Sequence, residues 1–201
     1  MRKFNRAFIV LGALLIIAAI GLTGYNVWEN YRAQYESDLI LQNVYDEIVT
    51  DRKGPADYLI DPTMDMPTVE IDGHLYIGFV SIPKLELMLP VMDSWSYPQL
   101  KISPCRYAGS AYLNNLIIAA HNYRSHFGRL RSLGIGDTIT FTDAANNQFY
   151  YTVAELETLK RTAVEEMESG EWDLTLFTCT PGGQTRLAVR CRLAYEKNNL
   201  M

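Results

Sequence analysis

An unbroken run of apolar residues and glycine from Ala7 to Leu22 constrains this chain more than any other feature. A helix needs about 17 to 25 such residues to cross the hydrocarbon core of a bilayer. Continuation through Thr23, Gly24 and Tyr25 to Val27 and Trp28 supplies that length. Residues 7–28 are therefore expected to form a transmembrane signal anchor. A cleaved signal peptide has a shorter apolar region and a small-residue cleavage site, to which Gly21-Leu22-Thr23-Gly24 is a poor match. A buried core helix suits so long a run poorly. Arg2, Lys3 and Arg6 make residues 1–6 a basic tail, whereas the far flank carries Glu29, Arg32, Glu36 and Asp38. Excess Lys and Arg stay on the cytoplasmic side, so the amino terminus is expected inside and everything after Trp28 outside.

Charge fits a separate outer domain. The chain has 18 Lys plus Arg and 23 Asp plus Glu; without the three basic residues of the tail, 15 face 23, a balance of −8. Such a surface repels phosphate backbones, so nucleic acid is not an expected partner. Cys105, Cys179 and Cys191 are too few for a disulfide framework, and an odd count leaves at least one thiol outside any intrachain bridge. No Gly-rich phosphate loop or paired-Cys zinc pattern is present, which removes nucleotide and zinc readings.

Residues 29–67 read as a juxtamembrane helix followed by a linker. Leu41, Val44, Tyr45 and Ile48 follow the spacing of one helical face, predicting a helix over Glu29 to Thr50 that lifts the domain off the lipid. Pro55, Pro62 and Pro67 with Gly54 then interrupt regular structure. Residues 68–201 are expected to form the folded domain. Its apolar runs, divided by turn residues, are Val69–Ile71, Leu75–Ile82, Leu85–Val91, Leu116–Ala120, Thr138–Thr142, Phe149–Leu156, Leu174–Thr178 and Arg186–Leu193. Eight short strands at that spacing predict a mainly β sandwich or barrel. Asp72-Gly73 predicts a tight hairpin, and the polar stretches Tyr123–Leu133 and Ala163–Gly170 have room for short helices.

The segment richest in chemistry is Leu174-Thr175-Leu176-Phe177-Thr178-Cys179-Thr180-Pro181-Gly182-Gly183-Gln184-Thr185-Arg186. A hairpin closing around Gly182 and Gly183 makes Cys179 and Arg186 cross-strand partners. A fixed cation beside a thiol favours the ionised, nucleophilic sulfur and offers donors to a developing oxyanion. Among His74, His121 and His126, His121 directly follows the apolar run Leu116–Ala120, where a rigid strand can hold a proton carrier at a cleft. His74, beside a turn, and His126, in a polar loop, are expected to be solvated. Cys105 is expected in a loop and is the second candidate nucleophile. Alternation buries Cys191 with Leu187, Val189 and Leu193. The same alternation puts Arg190 and Arg192 on the face of Arg186, where charged side chains are ordinarily wet.

Thr175-Leu176-Phe177-Thr178-Cys179 followed by Arg186 resembles the Thr-Leu-x-Thr-Cys and downstream Arg signature of sortases, and His121 in Ala119-Ala120-His121-Asn122 matches that family's His. Ile77-Gly78-Phe79-Val80-Ser81-Ile82-Pro83-Lys84 and Leu89-Pro90-Val91 are similar to its opening strands, and His121-Asn122 with Phe127-Gly128 is similar to class B members. The resemblance implies a closed eight-stranded barrel and a cysteine transpeptidase needing no metal or organic cofactor. It implies Cys179 as the nucleophile that attacks a sorting signal near the carboxyl terminus of a secreted protein. It implies His121 as the acid for the leaving amine and the base for the incoming one, Arg186 as the oxyanion or substrate stabiliser, and Thr178 as a holder of the substrate backbone. The implied acceptor is an amine of a peptidoglycan precursor or a pilin. Two rivals use the same residues differently: a noncatalytic extracytoplasmic barrel with Cys179 merely packed, and a thiol peptidase with water as acceptor.

Overall fold

The computed structural model describes residues 2–50 and 57–194. The first residues of the expected linker, 51–56, and the last seven of the expected domain, 195–201, lie outside the described residues. Helix α1 (Arg2–Thr50) is one element, where the sequence suggested an anchor and a separate juxtamembrane helix. No Gly or Pro occurs between Tyr25 and Thr50, so nothing interrupts the backbone ladder at the polar flank.

The chain divides into two compact units, Met1–Arg32 and Ala33–Met201. In the first, an 18-residue window of α1 has a mean hydropathy of 2.4 and is wholly unburied, with Leu14, Leu15, Ile16, Ile17 and Ile20 exposed. This helix is long and apolar enough to cross a membrane. In the second unit, Ile40, Val44 and Ile48, one face of the continuing helix, pack against Tyr76, Phe79, Met92 and Cys105, and the Tyr45 ring lies 5.7 Å from that of Phe79. The apolar stripe read from the sequence thus has a partner within this unit: it covers strands instead of standing clear of them.

Strands β1 (Val69–Ile71) and β2 (His74–Ile82) form the expected hairpin. Asp72 and Gly73 both adopt positive φ, 50° and 75°, as a two-residue turn matched to strand twist requires. The chain continues through β3 (Leu87–Met92), α2 (Tyr97–Leu100), β4 (Cys105–Ala108), β5 (Leu116–Ala120), β6 (Thr138–Asp143), β7 (Gln148–Lys160), α3 (Val164–Glu168), β8 (Leu174–Cys179) and β9 (Thr185–Leu193). A 3-10 turn, Phe127–Ser132, occupies the other polar stretch. Strands pair in the order β2-β3-β4-β5-β8-β9-β7-β6, and β6 returns to β2. The ring is therefore a closed eight-stranded barrel, with β1 added outside it along β2. Closure leaves the ring without an open edge. Gly78, at φ 144°, makes the β2–β6 seam possible: a Cβ there would sit 1.9 Å from the Thr142 carbonyl oxygen.

One ring member differs from expectation. The sequence counted β1 and read Cys105 as loop, whereas Cys105 opens β4, paired with Met92 of β3 and Ala119 of β5. Four residues directly after Pro104 carry almost no local strand signal; distant partners form this strand.

Leu116, Ile118, Ala120, Leu174, Leu176, Leu187, Val189 and Cys191 point into the barrel. Ile117, Ala119, Phe177 and Ala188 alternate to the outer face and are also buried, together with Met167 of α3. Strands β5 and β8 run parallel and are covered on both faces, which explains why they read as near-continuous apolar runs.

Candidate active site

The β8–β9 hairpin sets the first contact. Gly182 and Gly183 take φ 83° and 69°, and the Gly183 N–H donates to the Thr180 carbonyl at 2.8 Å. The hydroxyls of Thr180 and Thr185 lie 2.7 Å apart, and the Thr180 N–H donates to the Thr185 carbonyl at 3.0 Å. This bracket fixes the next pair up the ladder, Cys179 with Arg186, as the spacing predicts.

The parallel β5–β8 ladder sets the second contact. It ends with Ala120 beside Thr178, so His121 and Cys179 occupy the next position on each chain. Adjacent strands are about 4.8 Å apart. Alternation puts both residues, with Arg186, on the face that carries Ala119, Phe177 and Ala188 two positions below. The ladders thus set Cys179 beside Arg186 and leave His121, one residue past β5, level with Cys179, one residue past the last β5–β8 pair. The His121 ring stacks on Tyr123, centroids 4.8 Å apart. Cys179 and Arg186 are partly exposed, as groups that meet a ligand must be.

Thr178, to which the resemblance gives a part in holding the substrate backbone, has a buried side chain. It is buried on the opposite face from Cys179, and its hydroxyl donates to the Ala120 carbonyl at 2.8 Å. Alternation accounts for this: a neighbour of an outward Cys points inward, and this hydroxyl ties β8 to β5.

The three thiols occupy unlike surroundings. Cys105 and Cys191 are fully buried, and burial pushes each thiol up to about 12. Neither is set up as a nucleophile at neutral pH, because the reacting species is the thiolate. In the native protein at pH 7.5, iodoacetamide is expected to modify Cys179 at least about 10-fold faster than either of them, as read by peptide mapping. Equal labelling of all three would contradict this assignment of environments.

His126 is a correction. It was expected in solvent but is fully buried, caps the turn Phe127–Ser132, and lies 5.5 Å from the Tyr123 ring. Phe127 and Leu130, buried in the barrel core, draw the start of this turn inward and the histidine with it. Burial first, and then proximity to His121, push its imidazole down to about 4, while the Ala33 backbone acts the other way without reaching hydrogen-bond geometry. The folded protein therefore holds His126 neutral at pH values where the unfolded chain, near 6.5, binds a proton. Stability from this residue is present above pH 6.5 and lost as pH falls toward 4, at about 1.4 kcal/mol per pH unit. Urea unfolding of wild type and His126→Gln across that range should show a shallower acid loss in the variant; identical slopes would contradict the burial argument. His74 is half-buried on β2.

The sequence also missed the walls. Tyr107 on β4 meets Phe177 edge-on at 5.2 Å, and Trp95 lies 5.6 Å from Tyr107. Burial raises the Tyr107 phenol; Glu168 adds to this and Arg186 opposes it. Arg190, expected to be wet, is 2% exposed, whereas Arg192 is exposed and sits over the Trp172 ring at 4.5 Å. No local pattern marks Tyr107, Met167 or Arg190, because β4–β5 pairing and the β7–β8 connection bring them to the floor. Among the described residues no group of three His, Cys, Asp or Glu is arranged to hold a metal.

Residues 80–194 match the family described as Sortase domain. The chain is 24% identical over 187 residues to Sortase A of Bacillus anthracis, covering 87% of this chain and 88% of that protein. The fold is similar to sortase C1 of Streptococcus suis, with a TM-score of 0.52 and 26% identity over 61% of this chain and 76% of that one. It is also similar to the Sortase D5 transpeptidase of Clostridium perfringens, with a TM-score of 0.60 and 16% identity over 77% of this chain and 98% of that one. The family match covers more than half of the chain and includes the strand ends that carry His121, Cys179 and Arg186: the protein belongs to the sortases, a family of cysteine transpeptidases.

Proposed function

We propose that this sortase is held in the membrane by residues 7–28, with residues 1–6 cytoplasmic and the barrel outside. There it cleaves a sorting signal near the carboxyl terminus of secreted proteins and passes the acyl group to an amine of the cell wall or a pilin. The observation that carries this reading is the register that pairs Cys179 with Arg186 and leaves His121 level with Cys179 just past the last β5–β8 pair.

In the first half-reaction the Cys179 Sγ attacks the scissile carbonyl carbon. The Arg186 guanidinium donates hydrogen bonds to the oxyanion as charge develops there, which counts most where water is excluded. The C–N bond then breaks, and His121 gives its proton to the departing amine. The acyl group is left on sulfur as a thioester. In the second half-reaction an incoming amine attacks the thioester, His121 accepts the amine's proton, and the C–S bond breaks to free Cys179. The buried apolar residues Ala119, Phe177 and Ala188 two positions below keep water from the base of the site.

Product analysis tests this reading. Sorting peptides of the Leu-Pro-x-Thr-Gly type and its variants are incubated with and without an added amine. Cleaved acyl product joined to the amine, in proportion to amine concentration, is expected. Hydrolysis alone at every amine concentration favours the thiol peptidase, and no cleavage of any such peptide favours the noncatalytic barrel.

A further inference from the structure

Arg190 lies on β9 four residues beyond Arg186 and on the same face, yet its side chain is withdrawn from water. Its Nε donates to Glu157 Oε1 on β7 at 2.6 Å. Its Nη1 donates to the Met167 carbonyl at 2.7 Å and to the Thr175 hydroxyl at 3.1 Å. Its Nη2 donates to the Glu166 carbonyl at 2.6 Å. Two of the four bonds therefore end on main-chain carbonyls of α3. A helix of five residues has little stability of its own; the far end of the connection between β7 and β8 is tied down by Asp173, bonded to Leu116, Cys191 and Leu193, whereas the main-chain carbonyls of α3 are gripped by Arg190.

What the clamp holds is informative. The Met167 side chain packs on Ile117, Ala119, Phe177 and Ala188. The last three lie two positions below His121, Cys179 and Arg186 on their respective strands. The carbonyls gripped by Arg190 therefore belong to the turn that lays a wall across the floor directly beneath the three chemical groups. Glu168 follows Met167, and its carboxylate adds to the burial that raises the Tyr107 phenol. Burying a guanidinium against one carboxylate that is itself partly exposed is costly, and an apolar replacement is often no less stable. Stability alone gives little reason for an arginine here; its fork reaching two carbonyls, a hydroxyl and a carboxylate at once gives a geometric one.

We propose that Arg190 is a positioning residue for substrate binding, acting through the Glu166 and Met167 carbonyls to fix residues 161–173 as one wall of the peptide groove. This rests on the transpeptidase reading above. Its test separates binding from chemistry and wall from barrel. Full-length Arg190→Met and Arg190→Lys are compared with wild type in sorting-peptide kinetics, iodoacetamide labelling of Cys179, and amide hydrogen exchange.

For both variants KM is expected to rise about 10-fold or more while kcat stays within about 3-fold, the pattern of lost binding shared by ground and transition states. Cys179 labelling should change by less than about 2-fold, because the thiol's own surroundings are untouched. Amides of residues 161–173 should exchange at least about 10-fold faster, with β5 and β8 unchanged. Lys retains the charge toward Glu157 but cannot bridge both carbonyls, so its failure to rescue KM separates geometry from charge. A fall in kcat at unchanged KM, retained protection of 161–173, or simultaneous opening of segment and barrel would each overturn the proposal. The last of these is also the outcome if the variants fail to fold. A wild type that turns over no sorting peptide would overturn the transpeptidase reading instead, and the exchange arm would still report whether Arg190 holds the wall.

Discussion

Cys179→Ala should lower transpeptidation of a sorting peptide by at least about 10⁴-fold, because removing a covalent nucleophile eliminates the pathway and leaves only binding and oxyanion contacts. The domain should remain folded. Cys179 is only partly buried, at the open end of β8, and neither its backbone pairing with Arg186 nor the Thr180–Thr185 bracket involves the sulfur. The stability cost is expected below about 1 kcal/mol, read by urea unfolding beside the activity assay. Cys105→Ala and Cys191→Ala should show the reverse: turnover within a few-fold of wild type but lower stability, since each leaves a gap in a packed region. Cys179→Ala with substantial turnover, or Cys105→Ala without any, would exchange the roles of the two thiols.

The second large effect is expected for His121→Ala, a loss of about 10²- to 10⁴-fold in turnover, the range for a positioned general acid–base group. Its value lies in what should not fall equally. Alkylation of Cys179 by iodoacetamide has no leaving amine to protonate, so the variant should change that rate far less than turnover. Equal losses in both would make His121 a modulator of the thiol alone. His121 is well placed for a step involving the amine because it directly follows a strand buried on both faces and its ring stacks on Tyr123. A side chain held in this way spends little orientational freedom on reaching its geometry.

These expectations trace back to unequal legibility along the chain. The β8–β9 pairing was readable because Pro181-Gly182-Gly183 leaves few ways to turn, and once the turn is placed, register follows by counting. The outer and inner faces of β9 were readable from period-2 alternation, which correctly buried Cys191. Alternation failed at Arg190, where the pattern says which face a residue occupies but not whether another element covers that face. It also accounts for the inward Thr178 hydroxyl, which donates to the Ala120 carbonyl. Strand β4 was invisible because its order comes from β3 and β5, distant in sequence. His126 looked polar and exposed, yet it is buried where the neighbouring Phe127 and Leu130 are drawn into the core. Local chemistry fixed the hairpins, and the residues it missed are those placed by long-range covering.

The most direct measurement is mass spectrometry of the full-length enzyme mixed with a sorting peptide and no amine, quenched in acid and digested. The account predicts an acyl adduct on the peptide containing Cys179, removed by hydroxylamine as a thioester is and discharged when an amine is added before the quench. An adduct on Cys105 or Cys191, or cleavage of the sorting peptide with no adduct on any thiol, would contradict it.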